Sequence, residues 1–550
     1  MNFTASFLPY VQTGYFSKMI LDYINQDPLI QPYYQHPVSL DGVKASIAAR
    51  KKFKTDRKLL VTVLQKQYAA VTPSESVSRN IELLLNENTF TICTAHQPNI
   101  FTGPLYFIYK ILHVVKLAEQ LKLQLPENDF VPVYYMGSED ADLDELGHVF
   151  IDGEKYEWKT SQTGAVGRMK VDKGLVKMLD EIEGLLTVHP FGAEIMGLLK
   201  ECYKEGATIE QATFHLVNQL FADFGVLVLL PDNASLKSAF IPVIEKELMD
   251  EFSHTLVQET VISFPADYKV QASGRELNMF YLKDDRRDRI EMVNGDPIAI
   301  GWSSDSYRVV NTGLRFTKEE IISELNQHPE RFSPNVILRP VFQEWILPNI
   351  AFIGGGGEVA YWLQLKKVFE AVQVPYPLLI VRNSFMFIND EVQALIDKLQ
   401  FSNEALFQSE LELINQLVKR DSRVQLNLDR EQQELIIFYE QLKIITGKID
   451  ITLQRHTATL QTQALKKIAS LEKKMLRAEK RKFEAQQRQL KKIKARLFPN
   501  KNLQERIDNL VPYYAKWGMD FIRMIYEHSN GLEQGFGVLT PANKEAIFEQ

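Results

Sequence analysis

The stretch from Gly137 to His148 concentrates side chains that could do acid/base chemistry. Six such groups fall within ten positions: Glu139, Asp140, Asp142, Asp144, Glu145 and His148. Crowded carboxylates disfavour one another's charge, which is costly unless a cation or an amine of a substrate uses them. We predict Glu139, Asp140 and Asp144 as catalytic residues and His148 as substrate-binding. If the segment is helical, Asp144 and His148 share a face. The alternative is an acidic, solvated helix start.

A second polar stretch runs from His96 to Gly103, between a predicted strand and a predicted helix. Free backbone N–H groups at a helix start attract phosphate or carboxylate. Side chains in the stretch add donors and acceptors. The predicted substrate-binding residues are His96, Gln97, Asn99, Thr102 and Gly103. The alternative is an ordinary capped turn in which Thr102 is the N-cap.

A third candidate is the run of four glycines from Gly354 to Gly357, followed by Glu358 and Tyr361. Glycine permits close backbone approach to a ligand, so we predict Gly355, Gly356, Glu358 and Tyr361 as substrate-binding. No Lys-Ser or Lys-Thr follows, which argues against a P-loop.

Two arginines at the ends of apolar segments, Arg339 and Arg382, could bind a carboxylate with two hydrogen bonds. A surface ion pair is the alternative for each. No established metal spacing occurs, so the prediction for metal is none. No specific nucleotide motif is present, and the cofactor stays unknown, with ATP or another activating nucleotide left open.

The elements around these candidates predict an α/β fold. Strands are expected at 90–95, 130–136, 225–230, 349–353 and 377–381, with a helix from Pro104 to about Leu123 and another from Glu358 to about Val372. A strand, a helix and a second strand at this spacing form a βαβ unit, which implies a parallel sheet. Ligands of such sheets bind beyond the carboxyl ends of the strands, where the candidate residues lie.

Composition narrows the class of protein. The 550 residues carry a formal net charge of -7, so no overall basic field draws the chain to nucleic acid or to anionic lipid. Two cysteines, Cys93 and Cys202, cannot form a disulfide framework, and Cys93 is expected to be a buried, inert thiol. Neither a secretory signal nor a stretch of about 18 apolar residues is found, so we expect a cytoplasmic protein.

The segment 448–497 predicts a coiled coil. Ile468, Leu471, Met475 and Ala478 follow a heptad seam, which then slips in phase. Thirteen Lys or Arg stand against three Glu in 464–496, but few aromatic residues accompany them, so a solvated face or a lid over anionic ligands is favoured over nucleic-acid binding. The exposed seam favours a homodimer or an antiparallel partner within the chain.

Four segments together resemble the cysteine-adding family of bacillithiol biosynthesis: TAHQPNIFTGPLYFIYKIL (94–112), VPVYYMGSEDADLDELGHVF (131–150), RPVFQEWILPNIAFIGGGGEVAYWLQLKKVFE (339–370) and the basic coil. The resemblance implies a Rossmann-like core with inserted segments, a C-terminal coiled coil and a dimer. It also implies a ligase that adds L-cysteine to glucosaminyl-malate to form an amide. Its motifs mark as pocket residues Gln97, Thr102, Gly103, Glu139, Asp140, Asp144, Glu358 and Tyr361.

The expected organisation is a core over 1–385 with insertions near 151–215 and 235–330, a helical coiled-coil domain over 386–502, and a tail over 503–550 that packs back on the core. The expected partners are small-molecule substrates and a second copy of the chain, without nucleic acid or membrane.

Two other functions stay open. One is a nucleotidyltransferase-like enzyme, although the second His of an HIGH-type motif and a KMSKS-like loop are missing. The other is a coiled-coil scaffold or nucleic-acid-binding protein.

Overall fold

A computed structural model describes residues 1–294 and 305–542 of the chain. The chain divides into two compact units: the first comprises 1–386 together with 502–542, and the second comprises 387–501. Residues 295–304 of the predicted insertion near 235–330, and residues 543–550 of the predicted tail, lie outside the described part of the chain.

A five-stranded parallel sheet forms the centre of the first unit. Its strands are β1 (Thr89–His96), β2 (Asp129–Met136), β3 (Leu227–Leu229), β4 (Asn349–Gly354) and β5 (Leu378–Val381). They are arranged in the order 3-2-1-4-5, and every neighbouring pair is parallel. This is the strand order of a doubly wound, Rossmann-like fold, and the predicted fold class is confirmed.

The sheet is buried on both faces, as parallel sheets usually are. All eight residues of β1 and all six of β4 are buried, and helix α1 (Tyr106–Gln124) packs its apolar side on the sheet. Ile92, Val114, Leu117, Ile353 and Ile380 belong to one hydrophobic cluster. Continuous apolar strands therefore hold the core, and the polar residues begin where the strands end.

Two predicted helices differ from the observed ones. Helix α1 begins at Tyr106 and not at Pro104, because Pro104 forms a β-bridge with Asn509 and the Leu105 N–H donates to the Asp508 carbonyl at 2.8 Å. The expected helix from Glu358 to Val372 is two helices, α2 (Gly356–Trp362) and Lys366–Ala371. The break lies at Leu363–Leu365, where the side chain of Gln364 bonds to the backbone of another segment.

Two segments are inserted between the strands of the central sheet. Between β2 and β3 lie the hairpin His148–Ile151 with Glu154–Glu157 and the helices Lys173–Leu186, Gly192–Cys202 and Ile209–Phe221. Between β3 and β4 lies an antiparallel sheet, which we call the inserted sheet. Its strands, in spatial order, are Arg315–Thr317, Asp305–Val309, Arg286–Asn294, Met279–Lys283 and Phe332–Pro334.

The remaining elements of the first unit surround the sheet. A separate small sheet has the order Phe3–Leu8, Phe536–Pro541 and Ser384–Phe387, with the first two strands antiparallel. The other helices are Tyr10–Thr13, Lys18–Ile24, Leu40–Arg50, Arg57–Tyr68, Glu75–Leu83, Leu143–Leu146, Ala234–Asp250, Phe252–Ser263, Lys318–Gln327, Arg339–Ile346, Leu510–Trp517 and Met519–Glu527.

The second unit is helical. Its helices are Asp390–Leu399, Glu410–Asp421, Asp429–Gly447, Ile451–Lys480 and Glu484–Leu497, and a short 3-10 turn at Arg481–Phe483 interrupts the last two where the heptad phase slips. Asp429–Gly447 and Ile451–Lys480 form an antiparallel pair, with a hydrogen bond between the hydroxyls of Thr446 and Thr457 and another from the Gln461 amide to Glu440.

The antiparallel partner within the chain is thus observed. It covers the predicted seam only in part, since Leu471 and Ala478 stay exposed while Ile468 and Met475 are half-buried.

Candidate active site

A cavity of about 770 Å³ opens beyond the carboxyl ends of β1, β2 and β4 in the first unit. The sheet order reverses between β1 and β4, and ligands of such folds bind at this switch point. Ten of the predicted site residues line the cavity: His96, Gln97, Glu139, Asp140, Arg339, Gly355, Gly356, Glu358, Tyr361 and Arg382. The structure therefore brings all three predicted polar stretches and both arginines together.

The other predicted residues lie elsewhere. Asn99, Gly103 and His148 line an adjacent cavity of about 240 Å³. Thr102 and Asp144 line neither of these cavities. Asp144 lies in the short helix Leu143–Leu146, which ends before His148, so the expected shared helical face does not form; instead, Nδ1 of His148 donates to the Asp144 carbonyl at 2.8 Å.

Thr102 is not an N-cap either. It has a φ of 70°, and its buried hydroxyl has no hydrogen-bond partner. The loop around it is held from outside by Asn509, whose side-chain amide donates to the carbonyls of Phe101 at 2.8 Å and Gly103 at 2.6 Å.

An ion pair between a buried lysine and a half-buried glutamate forms one side of the larger cavity, next to the glycine turn. The carboxylate of Glu358 accepts from the Gly355 N–H at 2.8 Å and pairs with the ammonium of Lys110. Lys110 is only 1% exposed and also donates to the Ala95 carbonyl at 3.0 Å. Burial lowers the pKa of Lys110, and the neighbouring Glu358 opposes that shift.

Both predicted arginines present a buried nitrogen without a partner. Arg382 pairs with Glu505 at 2.7 Å and lies against the ring of Tyr106, but its Nε makes no hydrogen bond. Arg339 begins a helix, donates to the Tyr361 hydroxyl and lies against Tyr135, and its Nη1 is unpaired. An unsatisfied buried donor costs about 1–3 kcal/mol, so these atoms favour binding of a ligand that supplies acceptors.

His96 also has a buried, unpartnered atom, Nε2. Burial, with Lys110 and Arg382 nearby, holds the pKa of His96 well below its usual value, so the imidazole is neutral.

The acidic edge of the cavity contains two different carboxylates. Glu139 is fully engaged: it pairs with the ammonium of Lys237 and accepts from the Ser333 hydroxyl at 3.1 Å. Lys237, 1% exposed, also pairs with Asp232 at 3.1 Å. Asp140 makes no salt bridge among the described residues, and accepts from the Gln97 amide at 3.1 Å and from the Ala141 N–H at 2.8 Å.

Glu145 is the third carboxylate at this edge, and it too makes no salt bridge within the described ranges. Burial and the nearby Asp142 and Asp140 raise the pKa of Glu145. Asp140 and Glu145 are therefore the acidic side chains available to a cationic group.

The polar residues that line the cavity and that the sequence reasoning missed include Tyr106, Lys110, Arg275, Arg287 and Arg506. Lys110 carried a signal, since it is a lone charge inside the apolar run YFIYKIL. The three arginines carried none, because they belong to the second insertion and to the segment after the coiled coil. None of Arg275, Arg287 and Arg506 makes a salt bridge within the described part of the chain.

Within residues 1–294 and 305–542, no group of three or more His, Cys, Asp or Glu side chains is arranged to hold a metal ion. No helix in the same ranges is long and apolar enough to cross a membrane.

Comparison with known proteins gives the family. A family model described as the N-terminal Rossmann-like domain of bacillithiol biosynthesis BshC matches residues 5–383, and one for the C-terminal coiled-coil domain of BshC matches 385–541. Relatives from Flavobacterium johnsoniae and Christiangramia forsetii are each 36% identical, and one from Flavobacterium psychrophilum is 37% identical. The alignments cover 97% of this chain and 98–99% of each relative, and all three are named "Putative cysteine ligase BshC".

The two matched domains define a Rossmann-like enzyme with an appended coiled coil. The chain belongs to the BshC family of bacillithiol biosynthesis. The predicted resemblance and the prediction of a ligase are thereby confirmed.

Proposed function

We propose that the larger cavity joins L-cysteine to glucosaminyl-malate through an amide bond and so forms bacillithiol. The observation that carries the proposal is the distribution of unpaired charge. Arg275, Arg287 and Arg339 make no salt bridge to a carboxylate in the described structure, and Asp140 and Glu145 at the acidic edge make no salt bridge to a cation. A substrate with carboxylates at one end and an amine at the other complements such a cavity.

The malate carboxylates suit the arginines. A guanidinium binds a carboxylate through two parallel N–H donors, and Arg339 has a buried Nη1 free for this. Arg382 is the weaker candidate for the main contact, because Glu505 already neutralises it at 2.7 Å.

The amine suits the acidic edge, where Asp140 is the proposed general base. Glu139 is a poor proton acceptor, because both of its oxygens already accept hydrogen bonds. Asp140 retains room for another donor, and a base needs to reach the proton and to have a suitable pKa.

The reaction requires activation of the cysteine carboxylate by a donor of the nucleoside triphosphate class. One carboxylate oxygen attacks phosphorus of the donor, and the P–O bond to the leaving group breaks: attack at the γ-phosphorus gives an acyl phosphate and releases a nucleoside diphosphate, whereas attack at the α-phosphorus of ATP gives an acyl adenylate and releases pyrophosphate. The amine nitrogen of glucosaminyl-malate then attacks the acyl carbon, and the C–N bond forms while the C–O bond to phosphate breaks. Phosphate leaves the acyl phosphate, or AMP leaves the acyl adenylate, with that oxygen, and Asp140 takes the proton from nitrogen.

The test uses the purified protein with L-cysteine, glucosaminyl-malate and a nucleoside triphosphate, with bacillithiol detected by mass spectrometry. Deletion of the gene should remove bacillithiol from the cells and leave glucosaminyl-malate accumulated. Unchanged bacillithiol in the deletion strain contradicts the proposal. Pyrophosphate release without an amide product favours the nucleotidyltransferase-like alternative.

We also propose a homodimer formed through the coiled coil. Within the second unit, the turn-proximal ends of the antiparallel pair expose large apolar side chains, among them Ile437, Phe438, Ile444, Ile445 and Ile449. Contiguous exposed apolar surface typically marks an interaction site. We expect the wild type to sediment as a dimer. The double variant Phe438→Lys and Ile445→Lys should sediment as a monomer. A monomeric wild type contradicts the proposal.

A further inference from the structure

The smaller cavity, of about 240 Å³, adjoins the proposed active site. Tyr106, Glu145 and Arg506 line both cavities, so these three side chains form their common boundary. The smaller cavity lies among the loop before α1, the hairpin that begins at His148, and the segment after the coiled coil. Its volume is below the range of about 300–1,000 Å³ typical of pockets for drug-sized ligands, so it suits a small molecule.

The polar groups of this cavity have both signs. Arg506 makes no salt bridge in the described structure and offers guanidinium donors. Glu145 likewise makes no salt bridge to a cation there. The side-chain amide oxygen of Asn99, Oδ1, is buried without a hydrogen-bond partner, and the residue is only 4% exposed. A buried acceptor without a donor is unfavourable, which points to a ligand that supplies N–H groups.

An apolar wall completes the cavity. Pro104, Val149, Phe150 and Ile507 contribute to its lining, and Val149 is buried. This wall suits a short, weakly polar side chain such as a thiol on one methylene group.

We infer that the smaller cavity is the binding site of an α-amino acid, which is cysteine if the proposed function holds. The amino group bonds to Asn99 Oδ1 and Glu145, the carboxylate pairs with Arg506, and the side chain lies on the apolar wall. Because Arg506 belongs to both cavities, the carboxylate that must react is held at the boundary, beside the substrate in the larger cavity.

The test measures the binding of L-cysteine by calorimetry, with and without glucosaminyl-malate, and the KM of each substrate. Arg506→Ala and Asn99→Ala should each weaken cysteine binding about tenfold or more, the effect of losing a hydrogen bond to a charged group. Asn99→Ala should leave the KM for glucosaminyl-malate nearly unchanged. Arg275 lines the larger cavity only, so Arg275→Ala should raise the KM for glucosaminyl-malate and leave cysteine binding nearly unchanged.

Arg523→Ala, at an exposed arginine of the first unit, is the matched control for loss of an arginine. Thermal unfolding of each variant separates loss of binding from loss of fold. Undiminished cysteine affinity in both folded variants overturns the inference, as does a wild type that binds no cysteine in either condition. A wild type that binds cysteine through Arg506 and Asn99 but makes no bacillithiol contradicts the proposed function alone.

Discussion

At the scale of single residues, hydrogen bonding distinguishes carboxylates that look equivalent in the sequence. Glu139, Asp140 and Asp144 are close together in one acidic run, yet Glu139 is held by Lys237 and Ser333, Asp140 faces the cavity, and Asp144 lies outside it. The acidic run could be predicted as a site because it follows a strand directly. The difference among its members comes from Lys237 and Ser333, which are distant in sequence and could not be inferred from spacing.

Asp140→Asn should lower kcat/KM for bacillithiol formation by about 100-fold or more, the usual contribution of a general base. Asp144→Asn should have a much smaller effect, since this side chain lines neither cavity. Steady-state kinetics on both variants measures the two losses in kcat/KM and shows whether Asp140 or Asp144 contributes more. Equal losses would contradict the role given to Asp140.

At the scale of elements, the break between α2 and the helix Lys366–Ala371 positions a wall of the cavity. Gln364 is completely buried, and its amide accepts from the N–H groups of Gln271 and Ala272 at 2.9 and 3.2 Å and donates to the Ala272 carbonyl at 2.7 Å. Periodicity alone predicted one continuous helix here. The break depends on hydrogen bonds to residues 271–272, which are distant in sequence, and a local pattern does not contain them.

Gln364→Met keeps the side-chain volume but removes these hydrogen bonds. Unpaired backbone groups at 271–272 should destabilise the protein by about 1–3 kcal/mol. The cavity-lining stretch that contains Arg275 should also be displaced, so the KM for glucosaminyl-malate should rise while the KM for cysteine changes less. Kinetics and denaturant unfolding measure the two effects. A Gln364→Met enzyme with wild-type KM values would exclude this positioning role.

At the scale of the whole first unit, a buried histidine joins three distant segments. His113, in α1, donates from Nε2 to the Gly531 carbonyl at 2.7 Å, and its Nδ1 accepts from the Asn383 N–H at 3.1 Å. Burial lowers the pKa of His113 from 6.5 to about 4, although the bond to Gly531 opposes the shift. The folded imidazole is therefore neutral near neutral pH.

The pH dependence follows from this lowered pKa. Between about pH 6.5 and pH 4 the unfolded histidine binds a proton that the folded one does not, so stability is lost as pH falls through that window. His113→Gln keeps a donor but cannot titrate. The difference in Tm between wild type and variant should narrow as the pH is lowered from 7 to 4.5. A difference that stays constant with pH would rule out His113 as the titrating group.

The parallel sheet and the polar residues at its strand ends could be predicted because both are encoded locally, in apolar runs and in the residues that follow them. Arg275, Arg287 and Arg506 could not, since their segments have irregular patterns and only the folded chain brings them to β1 and β4. The sequence also did not predict two separate cavities, because the single loop from His96 to Gly103 contributes residues to both.

The strand Phe3–Leu8 pairs with Phe536–Pro541, and Arg506 and Asn509 reach the site only after the coiled coil has been made. On the ribosome, the strand Phe3–Leu8 must therefore wait until the coiled coil and the segment after it have been synthesised before its partner exists. A product released early by a stop codon within the coiled coil would lack Arg506, so neither cavity can be complete before that residue has been synthesised.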